Sequence, residues 1–208
     1  MRRLCLVAAL AFATLAMPAQ ADKVRSAIDL CLDRSLDFKA LNAGLSDLGY
    51  RDASDRDLWL MAETNTLVTV FNFFSDKLPD QKQITENRRM LEGVPEIDFV
   101  RVAAASDDHV LLIRKNPGAP DAHDYQCIFG FRQEPENIAD ALFPANSAPR
   151  TDKKDFYTMI ATMERDGGNT EFRLIAELDT AKLDAALPDR PGVVAIVMTA
   201  VKLGEGQK

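Results

Sequence analysis

Phe156-Tyr-Thr-Met-Ile-Ala-Thr-Met163, then Glu-Arg-Asp166-Gly167-Gly168-Asn169, then Thr170-Glu-Phe-Arg-Leu-Ile-Ala-Glu-Leu178 is the stretch that decides the fold class. Two runs rich in β-branched and aromatic residues flank a Gly-Gly turn, which predicts an antiparallel hairpin. In the second run Phe172, Leu174, Ala176 and Leu178 fall at every second position, interleaved with Glu171, Arg173 and Glu177. That period of two predicts them facing inward, with Glu171, Arg173 and Glu177 facing water.

The same grammar extends outward. Ile97 to Ala104 and His109 to Lys115 read as strands joined around Ser106-Asp107-Asp108. Tyr125 to Phe131 returns as a further strand after a loop opened by Asn116-Pro117-Gly118, and Gly192 to Leu203 is a final apolar strand. Asn146 to Lys153, with Pro149, reads as an exposed loop. Helices are expected over Lys23–Asp33, Asp37–Leu48 with Gly49 as a stop, and Leu58–Glu63 behind a cap at Ser54 to Asp57. Pro79–Leu91, Glu136–Leu142 and Thr180–Leu187 read as further helices. Thr66 to Phe74 has the composition of a strand, with Leu67, Phe71 and Phe73 on one side and Val68, Val70 and Phe74 on the other. Two apolar faces would put it mid-sheet, although the pattern alone leaves a buried helix open.

Hairpins dominate and no regular βαβ alternation occurs. The expectation is an α+β fold with a mainly antiparallel sheet, packed with N-terminal and interspersed helices. No repeat or linker divides the chain, so residues 22–208 are expected to form one domain with a short frayed tail from Gly204.

Residues 1–21 have the layout of a cleaved secretory signal: Arg2 and Arg3, an apolar run from Leu4 to Met17, then Pro18 and Ala19-Gln20-Ala21. Cleavage is expected after Ala21. The apolar run is shorter than the roughly 20 residues a membrane anchor needs. Cys5 lies at the start of that run, not at the cleavage point, so a lipoprotein signal is not expected. The paired arginines lack the polar residue that a twin-arginine signal carries before them, which favours general secretion. The product is expected to be periplasmic or secreted, from a bacterium.

Removing the leader takes away two arginines and no acid, leaving 187 residues with 23 basic and 32 acidic side chains, a formal charge of −9. Such a domain is repelled by phosphates and anionic headgroups, so neither nucleic acid nor membrane is an expected partner. Two cysteines remain, Cys31 and Cys127. Val24, Ala27, Ile28 and Cys31 share a helix face, and Tyr125, Cys127, Phe129 and Phe131 share a strand face. Both faces are expected to be buried, so a Cys31–Cys127 disulfide in an oxidising compartment is predicted.

No residue is assigned a catalytic, cofactor-binding or metal-binding role. Asp107-Asp108-His109 and Asp121-Ala122-His123-Asp124 have ligand-type side chains, but the intervening strand separates the two histidines by roughly 20 Å. Turn chemistry explains those aspartates. No nucleophile elbow, phosphate-cradling loop or dinucleotide motif occurs. Phe71, Phe73 and Phe74, with Trp59 and Tyr50 nearby, read as core or as the lining of an apolar pocket. The leading expectation is a non-enzymatic binding or interaction protein of the cell envelope. A carrier of a small apolar ligand beside the Phe71/Phe73 segment is the alternative, and a carboxylate-dependent hydrolase a weaker one.

Overall fold

Tyr157–Asp166 and Asn169–Leu178 pair antiparallel along their whole length, from Tyr157↔Leu178 to Asp166↔Asn169. The computed structural model describes residues 17–33, 35–72, 77–93, 99–103, 108–115, 125–135, 137–143, 147–166 and 169–202. The Gly167-Gly168 turn, Phe73, Phe74 and His123 therefore lie outside the described residues.

In chain order the described residues form α1 (Met17–Leu32), α2 (Phe38–Asp47), β1 (Arg51–Asp52), α3 (Asp55–Asn72), α4 (Gln81–Gly93), β2 (Phe99–Ala103), β3 (His109–Lys115), β4 (Tyr125–Phe131), α5 (Ile138–Leu142), β5 (Arg150–Lys153), β6 (Tyr157–Asp166), β7 (Asn169–Leu178), α6 (Thr180–Ala186) and β8 (Ala195–Lys202). The strands make one sheet in the order β1-β2-β3-β4-β8-β7-β6-β5, with every neighbour antiparallel. The fold is α+β.

Helices cover both faces of this sheet. Alternate residues of one strand consequently enter different cores. Val110 and Leu112 of β3, Ile128 of β4 and Ile196 of β8 pack with α3, α4 and α6. Leu111 and Ile113, Phe129, and Val197 of the same strands pack with α1, α2 and α5. This explains the unbroken apolar runs Val110–Ile113 and Ala195–Met198, because a strand covered on both sides has no water-facing set.

Three expectations need correction. The segment from Thr66 is helical, as part of α3, as far as Asn72. The helix is buried nearly all round between the sheet and α4, with Leu60 to Thr64 and Thr66 to Val68 all buried. Its apolar residues therefore show no single stripe. The threonine hydroxyls of α3 are satisfied within the helix. Thr64 donates to the Leu60 carbonyl (2.7 Å), Thr66 to Ala62 (2.7 Å) and Thr69 to Asn65 (2.9 Å). Second, Arg150–Lys153 is not loop but the edge strand β5, paired to β6 from Arg150↔Ala161 to Lys153↔Thr158. Third, Glu171 does not face water. It is 7% exposed, on the face of β7 that also carries buried Ile175, and it pairs with Arg173. The helix layer of α1 and α5 covers a face that the sequence pattern assigned to solvent.

Local signals set the other boundaries well. Asp37 caps α2 by accepting from the Ala40 amide (2.7 Å), and Gly49 takes φ +79° just beyond its end. Asp80 and Gln83 cap each other reciprocally at the start of α4, at 2.8 and 2.9 Å. Gly130 serves packing instead. A Cβ there would lie 1.9 Å from Thr64 Oγ1, so its absence is what lets α3 sit against β4.

Candidate functional site

Where β5, β6, β7 and α6 meet, an open cleft of about 470 Å³ is lined chiefly by charged side chains. The hairpin places Tyr157 and Thr158 at its base, with Glu177 and Leu178 opposite. The chain then turns: the Asp179 amide donates to the Phe156 carbonyl (2.8 Å), and the Asp179 carboxylate caps α6 by accepting from the Lys182 amide (3.1 Å). Lys182 reaches back across the cleft. Its ammonium donates to Asp155 Oδ1 at 2.7 Å and stands 3.9 Å from Asp179. Lys153 and Lys154 complete the rim.

The hydrogen bond that Lys182 donates to Asp155 raises the Lys182 pKa, so the amine stays protonated and holds no lone pair for nucleophilic attack. Its charge ties the two aspartates together. The cleft can form ion pairs and hydrogen bonds with a polar surface.

Away from the cleft, the buried polar groups serve the fold. Glu63 of α3 is 1% exposed, and both of its oxygens are used. Oε1 accepts from Arg190 (2.7 Å), while Oε2 accepts from the amides of Gly192 (2.7 Å) and Val193 (3.0 Å). Arg190 also donates to the Val193 carbonyl (2.7 Å) and to Asp184 (2.6 Å). This clamp fixes the segment between α6 and β8 against α3. No sequence signal could have found it, since its two charges stand 127 residues apart.

His109 begins β3 beneath α1. Its Nε2 shares a hydrogen bond with Tyr50 Oη (2.9 Å), and its ring stacks on Phe131. Nδ1 is buried and finds no hydrogen-bond partner among the described residues. Burial, then the Lys23 charge, hold its pKa down to about 4, against a smaller opposing pull from Asp108. Burial likewise raises the Tyr50 pKa. Among the described residues no group of three or more His, Cys, Asp or Glu side chains is arranged to hold a metal ion.

The aromatic set does not converge. Tyr50 packs in the core beneath α1 and α2, whereas Trp59 packs on the opposite face of the sheet, under the Arg88 guanidinium at 4.7 Å. These two cannot line one pocket. Phe71 belongs to α3, and Phe73 and Phe74 lie outside the described residues.

Cys31 and Cys127 are joined in a disulfide with a Cα–Cα distance of 6.2 Å, linking α1 to β4. Both residues are buried, at 2% and 0% exposure. Among the described residues no helix is long and apolar enough to cross a membrane. Comparison with protein families, with curated proteins and with solved structures gave no match.

Proposed function

We propose that this chain is exported and works in the bacterial envelope or beyond it as a non-enzymatic binding domain, meeting a polar protein partner through the charged cleft beside α6. The observation that carries the address is the buried Cys31–Cys127 bond, because such a bond persists in an oxidising compartment and not in a reducing one. The leader-like residues 1–21 support the same address.

Binding is favoured over catalysis by the chemistry of the polar groups. Lys182 is held as a cation between carboxylates, and Glu63 and Arg190 spend their hydrogen bonds on each other, on Asp184 and on the backbone around Val193. Contacts of mixed charge give a partner orientation and encounter rate more than raw affinity. The proposed partner is therefore a protein surface carrying both signs of charge.

Two measurements test the proposal. Intact-mass analysis of the exported protein should give a chain beginning at Asp22 with no free thiol. Affinity capture from envelope extract at low salt should recover a partner that is lost with Lys153→Glu plus Lys154→Glu. A reduced chain that retains Met1 would remove the address. Equal recovery by the double variant would remove the cleft.

A further inference from the structure

We infer that the junction Ala21–Asp22 is open to cleavage only before α1 docks on the sheet, so that leader removal precedes folding. The inference rests on reading residues 1–21 as a leader, and it adds an order of events that this reading does not contain.

The junction lies inside α1, whose backbone is helical from Met17 to Leu32. Peptide-binding clefts commonly take an extended segment and use its main-chain N–H and C=O groups. In a helix those groups are already bonded four residues away. The chain on the product side is also anchored almost at once. Val24, the third residue of the product, is 3% exposed, and Ala27 and Ile28 are fully buried. At about 1.5 Å of rise per residue, the junction stands only about 4–5 Å along the axis from Val24. Lys23 is engaged as well, with its ammonium 5.4 Å from the centre of the Tyr50 ring. Two turns further on, the Cys31–Cys127 bond fastens the helix to β4.

No spacer separates the junction from the fold. Presenting it to a protease requires unwinding the first turns of α1 and withdrawing Val24 from its core. When cleavage depends on such an opening, its rate follows the small population of the opened form. An export system that carries folded proteins would deliver this junction closed. A system that threads the unfolded chain would deliver it open, so the structure favours threading.

The test uses the full-length precursor in detergent micelles with purified signal peptidase. One sample is unfolded and reduced, then diluted directly into enzyme. The other is first refolded and oxidised, with its disulfide checked by mass. The unfolded precursor should be cut to a product starting at Asp22, and the folded one should be cut at least about tenfold more slowly. Equal rates at Ala21–Asp22 would overturn the order of events while leaving the leader intact. If the unfolded precursor is not cut at that bond, the leader reading itself fails and the inference falls with it.

Discussion

Gly130 and Glu63 show what single residues do here and how little of it could be read in advance. Gly130 sits in a run, Tyr125 to Phe131, whose alternation predicts the strand correctly, yet nothing local explains a glycine near its end. The reason lies in α3, where Thr64 Oγ1 occupies the place a Cβ would need. Gly130→Ala should cost about 1–3 kcal/mol through overpacking, read as a lower urea midpoint. Combining it with Thr64→Ala should recover part of that loss, because the closest clashing atom is then gone. A Gly130→Ala protein as stable as wild type would mean that α3 does not press on β4. Glu63 makes the complementary case. Its substitution by Gln leaves the Arg190 guanidinium, 3% exposed at its side chain, with Asp184 as its remaining carboxylate. Breaking a buried pair from one side typically costs about 3–5 kcal/mol, and the retained Asp184 contact places the expected loss near the lower end. Chemical denaturation of Glu63→Gln checks this. A change below about 1 kcal/mol, the scale of an exposed pair, would show that the clamp is not holding the segment before β8.

At the scale of elements, the hairpins and the amphipathic helices were legible because each carries its own signal. Alternation marks β4 and β7, and the Gly49 stop marks the end of α2. α3 was not legible. A helix covered on all sides loses its stripe, and its threonines and valines then speak for a strand until tertiary packing overrules them. The solvent-facing reading of Glu171 failed for a related reason: alternation tells the two faces of a strand apart but not whether a second layer covers the outer one. The cleft could not be read at all, since Lys153, Lys182 and Asp179 meet only through the turn that follows β7. The link between α1 and β4 was legible from the helix and strand faces that carry its cysteines. It spans 96 residues, and on the chain-entropy account its removal should cost up to about 4–5 kcal/mol. Reduction, or Cys31→Ala with Cys127→Ala, should lower the unfolding midpoint accordingly. Amide exchange should rise first in α1, the element the bond secures. Uniform exchange across the sheet instead would mean that the bond acts only on the unfolded chain.

Across the whole molecule, one sheet serves two cores, so neither helix layer can leave without exposing strand residues that the other layer needs. Ile128 and Phe129 are neighbours in β4 and belong to opposite cores. Unfolding near neutral pH should therefore be one cooperative transition. Trp59, the only tryptophan, reports on the α3–α4 side, and its fluorescence should share a midpoint with the circular dichroism of the whole chain. Acid attacks this arrangement from the other side. His109 is 1% exposed beneath α1, with a pKa of about 4 against 6.5 in the unfolded chain. Below pH 6.5 the unfolded state takes up a proton that the folded state refuses, so stability falls as pH drops and levels off only near pH 4. At 1.36 kcal/mol for each unit of difference, that window spans roughly 3 kcal/mol. The carboxylates add their own acid dependence, so the variant His109→Gln isolates the histidine. Its stability at neutral pH should be lower, because a polar side chain still fills the site, but its slope between pH 6.5 and 4 should be shallower by that amount. Parallel pH profiles for the two proteins would show that His109 is protonated without opening the layer above it. The Tyr50 and Lys23 contacts would then have to yield locally, and the sheet would not couple its two faces as tightly as its shared strands imply.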